Sequence, residues 1–256
     1  MRAVPQKIQI LKFIGEQGVV TLSDVAAHLS CPDKISYIRV TLYKLGIIHI
    51  KYRQIPNGVW FIDNSKLCDL LNSCYPDPES PCFELRPVVW LEIPHSLELN
   101  RIRTTFEQTD VITIDQWWSE NYIRALPAAL KEGLGTFKIP DAIFWRKKTD
   151  GSRQKYFLEY ERTLKNTDRY EEIFCSYAKR EDVKDRNVIY ICATAYIKDR
   201  LQRVEEYLIK IERLPQAGLF QFITLEGFYE THANHYLKKG EVRHEQDQTV
   251  YANAQL

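Results

Sequence analysis

Apolar residues recur at helical spacing through the first part of the chain. In Lys7 to Gln17 (KIQILKFIGEQ), Ile8, Leu11 and Ile14 fall three apart, and Ile10 and Phe13 widen the stripe, so an amphipathic helix is predicted. Gly18 ends it. Thr21 opens a second helix, with Asp24 three residues on as an acidic variant of the capping box, and Val25, Ala26 and Leu29 form its apolar face. After Cys31-Pro32-Asp33 a third helix runs to Lys44. Ile35, Ile38, Leu42 and Leu45 face inward, Lys34, Ser36, Tyr37, Arg39, Thr41 and Lys44 face outward, and Gly46 stops it. Two β-rich runs, IIHIKYR (47–53) and VWFID (59–63), flank Ile55-Pro56-Asn57-Gly58, and Asn-Gly between such runs is a strong hairpin signal.

Beyond residue 87 the pattern changes. Val88 to Ile93 reads as a short strand or extended entry, and Ser96 as the cap of a helix carrying Leu97, Leu99, Ile102 and Phe106. VITIDQWW (111–118) is β-rich. IPDAIFW (139–145) and KYFLEYE (155–161) are two strands around the polar turn 148–152. A helix spans about 167–180, the apolar run NVIYICATA (187–195) is a doubly buried strand, a helix covers 198–214, and LFQFITLE (219–226) is the last strand. The predicted order is α-β-β-β-α-β-α-β. Residues 72–87 hold four of the eleven prolines and cannot form a regular helix. The division is therefore 1–66, a Pro-rich linker 67–87, a second domain 88–238 and a polar tail 239–256, with an overall α/β (α+β) class.

Charge sharpens this division. The 256 residues hold 35 Lys+Arg and 34 Asp+Glu, a net charge of +1. Residues 1–66 hold nine cations against four anions, a balance of +5, so the remainder carries −4. No run approaches the roughly 18 apolar residues of a membrane helix, and the N-terminus has no secretory apolar core. The six cysteines lack regular spacing and read as free thiols of a reducing cytosol. Cys68, Cys74, Cys82 and His95 lack the paired CxxC knuckle of a zinc site, and His232 and His235 form only a weak HxxH signal. His95, beside Pro94, reads as a cap or packing residue before a general base. Trp90, Trp117, Trp118 and Trp145 read as core.

From about residue 6 to 63, three short helices and a hairpin resemble a winged helix-turn-helix. The resemblance implies that the third helix enters a major groove and the hairpin touches backbone. It points to double-stranded DNA as partner, met by Lys34, Ser36, Tyr37, Arg39 and Lys44 on the helix and Lys51 and Arg53 on the wing. Five phosphate contacts give a log–log salt slope of roughly −4 to −5. The alternative is a winged helix used for protein contact.

The second domain holds Pro140-Asp141 and then Glu159-Tyr160-Glu161. Residues two apart on a strand share a face, so Glu159 and Glu161 project together. A three-residue loop at Thr149-Asp150-Gly151, with Gly left-handed, pairs 148 with 152 and sets Asp141 opposite Glu159. A two-residue Asp150-Gly151 turn puts Asp141 on the opposite face. Three carboxylates on one face form an oxygen-rich site for Mg²⁺ or Mn²⁺. The alternative is a solvated acidic face paired with Arg162, Lys165 or Arg169.

These residues resemble the PD-(D/E)xK nuclease superfamily, whose core is α-β-β-β-α-β. Pro140-Asp141 and Glu159 match, whereas Glu161 stands at the lysine position. The resemblance implies that Asp141, Glu159 and Glu161 hold the metal, that Arg162 or Lys165 supplies a migrated cation, and that Glu98 matches an extra acidic residue of some members. With His95 to Arg103 and Trp117-Trp118-x-Glu120, the order of motifs over about 6–195 looks like the replication-relaxation family. That implies plasmid replication or mobilisation of a conjugative element, with a homodimer and replication or mobilisation proteins as further partners, and with activity retained or lost. A winged-helix transcription regulator and a catalytically silent accessory or adaptor stay open.

Overall fold

A computed structural model describes residues 6–52, 55, 58–77, 79–108, 114–128, 130, 138–148, 150–184, 186–215 and 218–232. The chain is mixed α and β. Its first part contains α1 (Gln6–Gln17), β1 (Val19–Val20), α2 (Leu22–His28), a 3-10 turn (Pro32–Lys34), α3 (Ile35–Leu45), β2 (Ile48–Ile50), β3 (Val59–Phe61) and α4 (Ser65–Ser73). The strands pair antiparallel in the order β1-β3-β2. Ile10, Phe13, Ile14, Val25, Ile38, Leu42, Trp60, Leu67 and Leu71 fill one core.

Local signals explain most of these boundaries. Gly18 and Gly46 take φ of +79° and +74°, conformations that L side chains avoid, and end α1 and α3. The Thr21 hydroxyl accepts from Asp24 N at 3.1 Å while the Asp24 carboxylate accepts from Thr21 N at 2.7 Å, closing the capping box.

Helix α4 corrects the expected linker. Asn64 caps it, and Leu67, Cys68 and Leu71 are buried, so the connection begins after Ser73 rather than at 67. The pair Leu67 and Leu71, four apart, has the helical spacing that buries one face against α1. The approach is close: a Cβ added at Gly15 would meet Leu71 Cδ2 at 2.2 Å. The connection is itself anchored. The Asn72 amide exchanges two hydrogen bonds with the Phe83 backbone, at 3.0 and 2.7 Å, and Cys82 N donates to Ala125 O at 2.8 Å.

The second part contains α5 (Ile93–Gln108), β4 (Ile114–Ser119), α6 (Glu120–Ala125), β5 (Ala142–Lys147), β6 (Arg153–Glu161), α7 (Thr167–Ala178), β7 (Val188–Cys192), α8 (Ala195–Lys210), β8 (Phe220–Thr224) and a helical segment over 225–232. The expected order is present with two additions, the short α6 and the helical segment over 225–232. The sheet order is β4-β5-β6-β7-β8, antiparallel through β6 and parallel beyond it. Helices α7 and α8 cover one face, packed on Ile143, Phe157, Val188 and Tyr190. Helix α5 and segment 225–232 cover the other, on Ala142, Phe144, Leu158 and Ile191. Val88 to Ile93 is not a strand, and Ser96 is not a cap. The helix begins at Ile93, because Pro94 in its first turn has no N–H to leave unpaired, and Ser96 Oγ donates back to Glu92 O at 3.2 Å. No helix among the described residues is long and apolar enough to cross a membrane.

Buried polar contacts join the two parts. Asn100, 1% exposed, donates from Nδ2 to Val19 O at 2.8 Å. Arg103 reaches Glu107 at 2.7 Å and Glu16 at 3.5 Å, the Glu16 carboxylate accepts from Tyr75 Oη at 2.7 Å, and Ser119 Oγ donates to the Glu16 carbonyl.

If α4 belongs to the first core, Leu71→Ala removes a side chain that is 1% exposed and lowers stability by about 2–5 kcal/mol, read from urea midpoints. A residue in a free linker would change them by less than about 0.5 kcal/mol.

Candidate active site

The hairpin β5–β6 sets the site. Its ladder runs from Ala142↔Leu158 through Ile143↔Phe157 to Lys147↔Arg153. Lys148 N donates to Ser152 O at 2.8 Å, Gly151 N donates to Lys148 O at 3.0 Å, and Gly151 has φ of +82°. This is the register of the three-residue loop, and one step beyond the ladder it sets Asp141 opposite Glu159. Glu159 and Glu161 share the face of Phe157, beneath α7.

Each of the three acids has a cationic neighbour. Asp141 Oδ2 accepts from Tyr160 N at 2.7 Å and lies 3.4 Å from His95 Nε2, while its carbonyl accepts from Glu120 N at 2.9 Å. Glu159 Oε2 pairs with Lys138 Nζ, and its Oε1 accepts from Tyr177 Oη at 2.5 Å. The Glu161 oxygens accept from Lys165 Nζ at 2.6 and 2.5 Å. Glu159 and Glu161 are only 2% and 5% exposed.

This packing shifts the acids apart. Burial pushes Glu159 up, and the nearby Asp141 charge adds to it, against the pull of Lys138, leaving it at about 7. Burial also works against Asp141 as an anion, yet the His95 hydrogen bond, the Lys138 charge and Tyr160 N hold it below the usual carboxylate range. For Lys138 and His95 burial opposes the charged form, but the surrounding carboxylates outweigh it and raise both. His95 also lies against the Tyr160 ring, with centroids 5.3 Å apart, so it is both packing residue and Asp141 partner.

The structure brings together Asp141, Glu159, Glu161 and Lys165 from the sequence-derived set. Arg162 stays out: it is exposed, and its Nη2 donates to Leu91 O at 3.2 Å, because residue 162 follows Tyr160 onto the opposite side of the strand. Glu98 also stays out, engaged by Tyr229 Oη at 2.6 Å and Arg101 at 3.3 Å on the α5 side. Arg169 pairs with Glu172 at 2.6 Å rather than with these acids. Lys138 and Tyr177 were not legible as site residues. Lys138 precedes β5 without any fixed spacing to β6, and Tyr177 presents a helix-face pattern that hides its hydroxyl.

The donor set is all-oxygen and anionic, which suits Mg²⁺ or Mn²⁺. Among the described residues no three His, Cys, Asp or Glu groups are grouped to hold an ion as they stand. Metal ligation by Asp141, Glu159 and Glu161 therefore requires the three carboxylates to draw together and the Lys138 and Lys165 ammonium groups to leave Glu159 and Glu161. Around these residues runs a cavity of about 1040 Å³, walled by the end of α1, β1 and segment 82–93 as well as by His95, Lys138, Asp141 and Glu159.

On α3 and beside it, Lys34, Ser36, Tyr37, Arg39 and Lys44 are exposed, as is Lys51 after β2, while Arg53 lies outside the described residues. Thr41 does not face outward: it is 2% exposed, turned under the helix beside Leu42. Val40 and Tyr43, at 50% and 58% exposure, take its place on the surface. Cys68, Cys74 and Cys82 are free thiols, and His232 Nδ1 lies 2.7 Å from Phe228 O, with His235 outside the described residues. Trp117 is core, but Trp90 is half exposed, because no strand holds Val88 to Ile93 against the sheet.

A carboxyl raised from 4.5 to about 7 keeps its proton more tightly in the folded state. Its contribution to stability is present below pH 4.5 and is lost as pH rises from there through about 7. Glu159→Gln should flatten that part of the stability–pH curve, read from urea midpoints between pH 4.5 and 8. An unchanged slope would exclude Glu159 as the titrating group. No protein-family model matches the chain, and no curated protein and no solved structure matches it either.

Proposed function

We propose that this is a DNA-binding protein with a winged helix at its N-terminus and a PD-(D/E)xK-like domain that cleaves DNA phosphodiesters with Mg²⁺ or Mn²⁺, serving plasmid replication or mobilisation of a conjugative element. The observation that carries the reading is the hairpin register, which sets Asp141 opposite Glu159 and beside Glu161, with the Lys138 ammonium among them.

The chemistry assigns roles to this chain's own groups. Asp141, Glu159 and Glu161 would ligate the metal, which supplies a polarised phosphate and an activated water. Tyr160 N and Glu120 N hold Asp141 from side chain and backbone, fixing its position before substrate arrives. Tyr177 orients Glu159 from below. Lys138, turned from Glu159, places a positive charge where the attacked phosphate gathers negative charge, the role that Glu161 cannot fill. Lys165 balances Glu161 until the metal does. His95 keeps Asp141 ionised.

The outward groups of α3 would carry duplex recognition. Lys34, Arg39, Lys44 and Lys51 suit phosphates, and Ser36 and Tyr37 suit base edges or backbone. A catalytically silent accessory or regulator is the second reading, favoured by one observation: Lys138, Lys165 and His95 already satisfy the three acids.

Supercoiled plasmid nicking with Mn²⁺ separates the two. Wild type should nick, Asp141→Ala should abolish it, and Lys138→Met should slow it by about 10²-fold, the scale of losing one preorganised donor. Intact plasmid with wild type, or nicking that Asp141→Ala leaves unchanged, would establish the silent reading. Arg39→Ala should weaken duplex binding and lower the magnitude of the log–log salt slope by about 1, measured by anisotropy across salt concentrations.

A further inference from the structure

Helix α8 buries one face and leaves the other open. Ile197, Leu201, Val204 and Leu208 hold it on the sheet. On its solvent side Tyr196, Tyr207 and the capping Ile211 are 71%, 51% and 41% exposed, an unusual amount of apolar surface for one helix face. Beside them Asp199, Arg203, Glu206 and Lys210 follow at steps of four, three and four, which keeps them in one row along the helix. All four are exposed. Among the described residues none of the four has an ion pair, although Asp199 and Glu206 each stand four positions before a cation.

The order of charge along this row selects the partner. It runs negative, positive, negative, positive. Reversed, it runs positive, negative, positive, negative, so the row complements itself when a second copy lies antiparallel. About a two-fold axis between Val204 and Glu205, Asp199 meets Lys210 and Arg203 meets Glu206, each twice. A parallel copy in register would set like charges together. The apolar flank has the same symmetry. Within one residue of that axis Arg200 comes opposite Tyr207, and Tyr196 opposite Ile211, pairings that suit a guanidinium on a ring and two apolar surfaces. The face holds Arg200, Arg203 and Lys210 against Asp199 and Glu206, so it has little net charge to attract a polyanion such as DNA or an anionic lipid surface. The first part docks through Asn100 of α5, which covers the other face of the sheet, so a copy seated on α8 leaves that junction intact.

We propose that the exposed face of α8 is the interface of a two-fold homodimer, in which two copies of this chain pair antiparallel through Arg203 with Glu206 and Asp199 with Lys210. The inference depends neither on DNA binding nor on cleavage. One helix about 24 Å long makes a small contact, so the dimer is weak and sensitive to salt.

Sedimentation velocity on the full-length protein, from about 1 to 100 μM, should show monomer passing into dimer at low salt and less dimer at about 0.5 M salt. Arg203→Glu and Glu206→Arg should each raise the dissociation constant by about tenfold or more, because each sets like charges together twice. Mixed in equal amounts, the two variants should pair with each other about as tightly as wild type pairs with itself, since opposite charges then meet at both positions. Their recombination also shows that both are folded. Tyr207→Ala should weaken association as well, and Arg39→Ala on α3 should leave it unchanged. A wild type that stays monomeric, association that ignores Arg203 and Glu206, or variants that do not recombine overturns the proposal. So does a labelled duplex whose binding Arg203→Glu weakens while no dimer forms, an outcome that would give the face to nucleic acid.

Discussion

The register of one hairpin decides whether this protein has a site. Gly151, at φ +82°, lets the turn close with Lys148 opposite Ser152, and every pair down the ladder follows from that closure. A slip of one residue would send Asp141 to the α5 side and leave Glu159 and Glu161 without it. The cost of the site is also set here. Three carboxylates at one end of a covered sheet repel one another and lose water, so burial requires compensating charge. The chain supplies it from three different places: Lys138 before β5, Lys165 after β6 and His95 on α5. The acids are thereby tied to elements on both faces of the sheet.

The second constraint is the junction between the two parts. Glu16, at the end of α1, accepts from Tyr75, Arg103 and Ser119, and Asn100 reaches the Val19 carbonyl. Ser119 also caps α6, and the next residue, Glu120, donates its N–H to the Asp141 carbonyl. The proposed DNA-binding part is thus docked against the element that holds the first acid. Buried hydrogen bonds of this kind cost more to break than they add when made, which favours one docked arrangement. Docking in turn creates the cavity, since α1 and β1 form part of its wall.

Much of the fold was legible because it is written locally. Gly18, Gly46 and the Thr21–Asp24 box mark helix ends through backbone conformation and capping, and the apolar stripes of α1, α7 and α8 follow their burial. The failures have two origins, a local signal overshadowed by a stronger neighbour and a face set by packing. Leu67 and Leu71 have helical spacing, yet the prolines from 76 onward masked a short helix in front of them. Ser96 has the chemistry of a cap, but Pro94 had already started the helix. Thr41 is polar, and only the curvature of the packed core shows that it points inward. Only for Thr41 did a side-chain preference worth about a kilocalorie yield to tertiary packing.

The candidate site divides along the same line. The sequence by itself determined that Glu159 and Glu161 share a strand face, because side chains alternate along any strand, and it narrowed Asp141 to two faces through the choice between two loop lengths. It also placed Lys34, Ser36, Tyr37, Arg39 and Lys44 on an exposed surface, because a 3.6-residue period separates a helix's faces wherever it is packed. Only the tertiary structure decided that Lys138, rather than Arg162, meets Glu159, that Tyr177 donates to the same carboxylate, and that the three acids lie in a cavity between two docked parts. Those contacts join residues from 18 to 71 positions apart in the chain. Periodicity carries no information over such separations. They arise when the whole core closes, and burial then selects which charges pair.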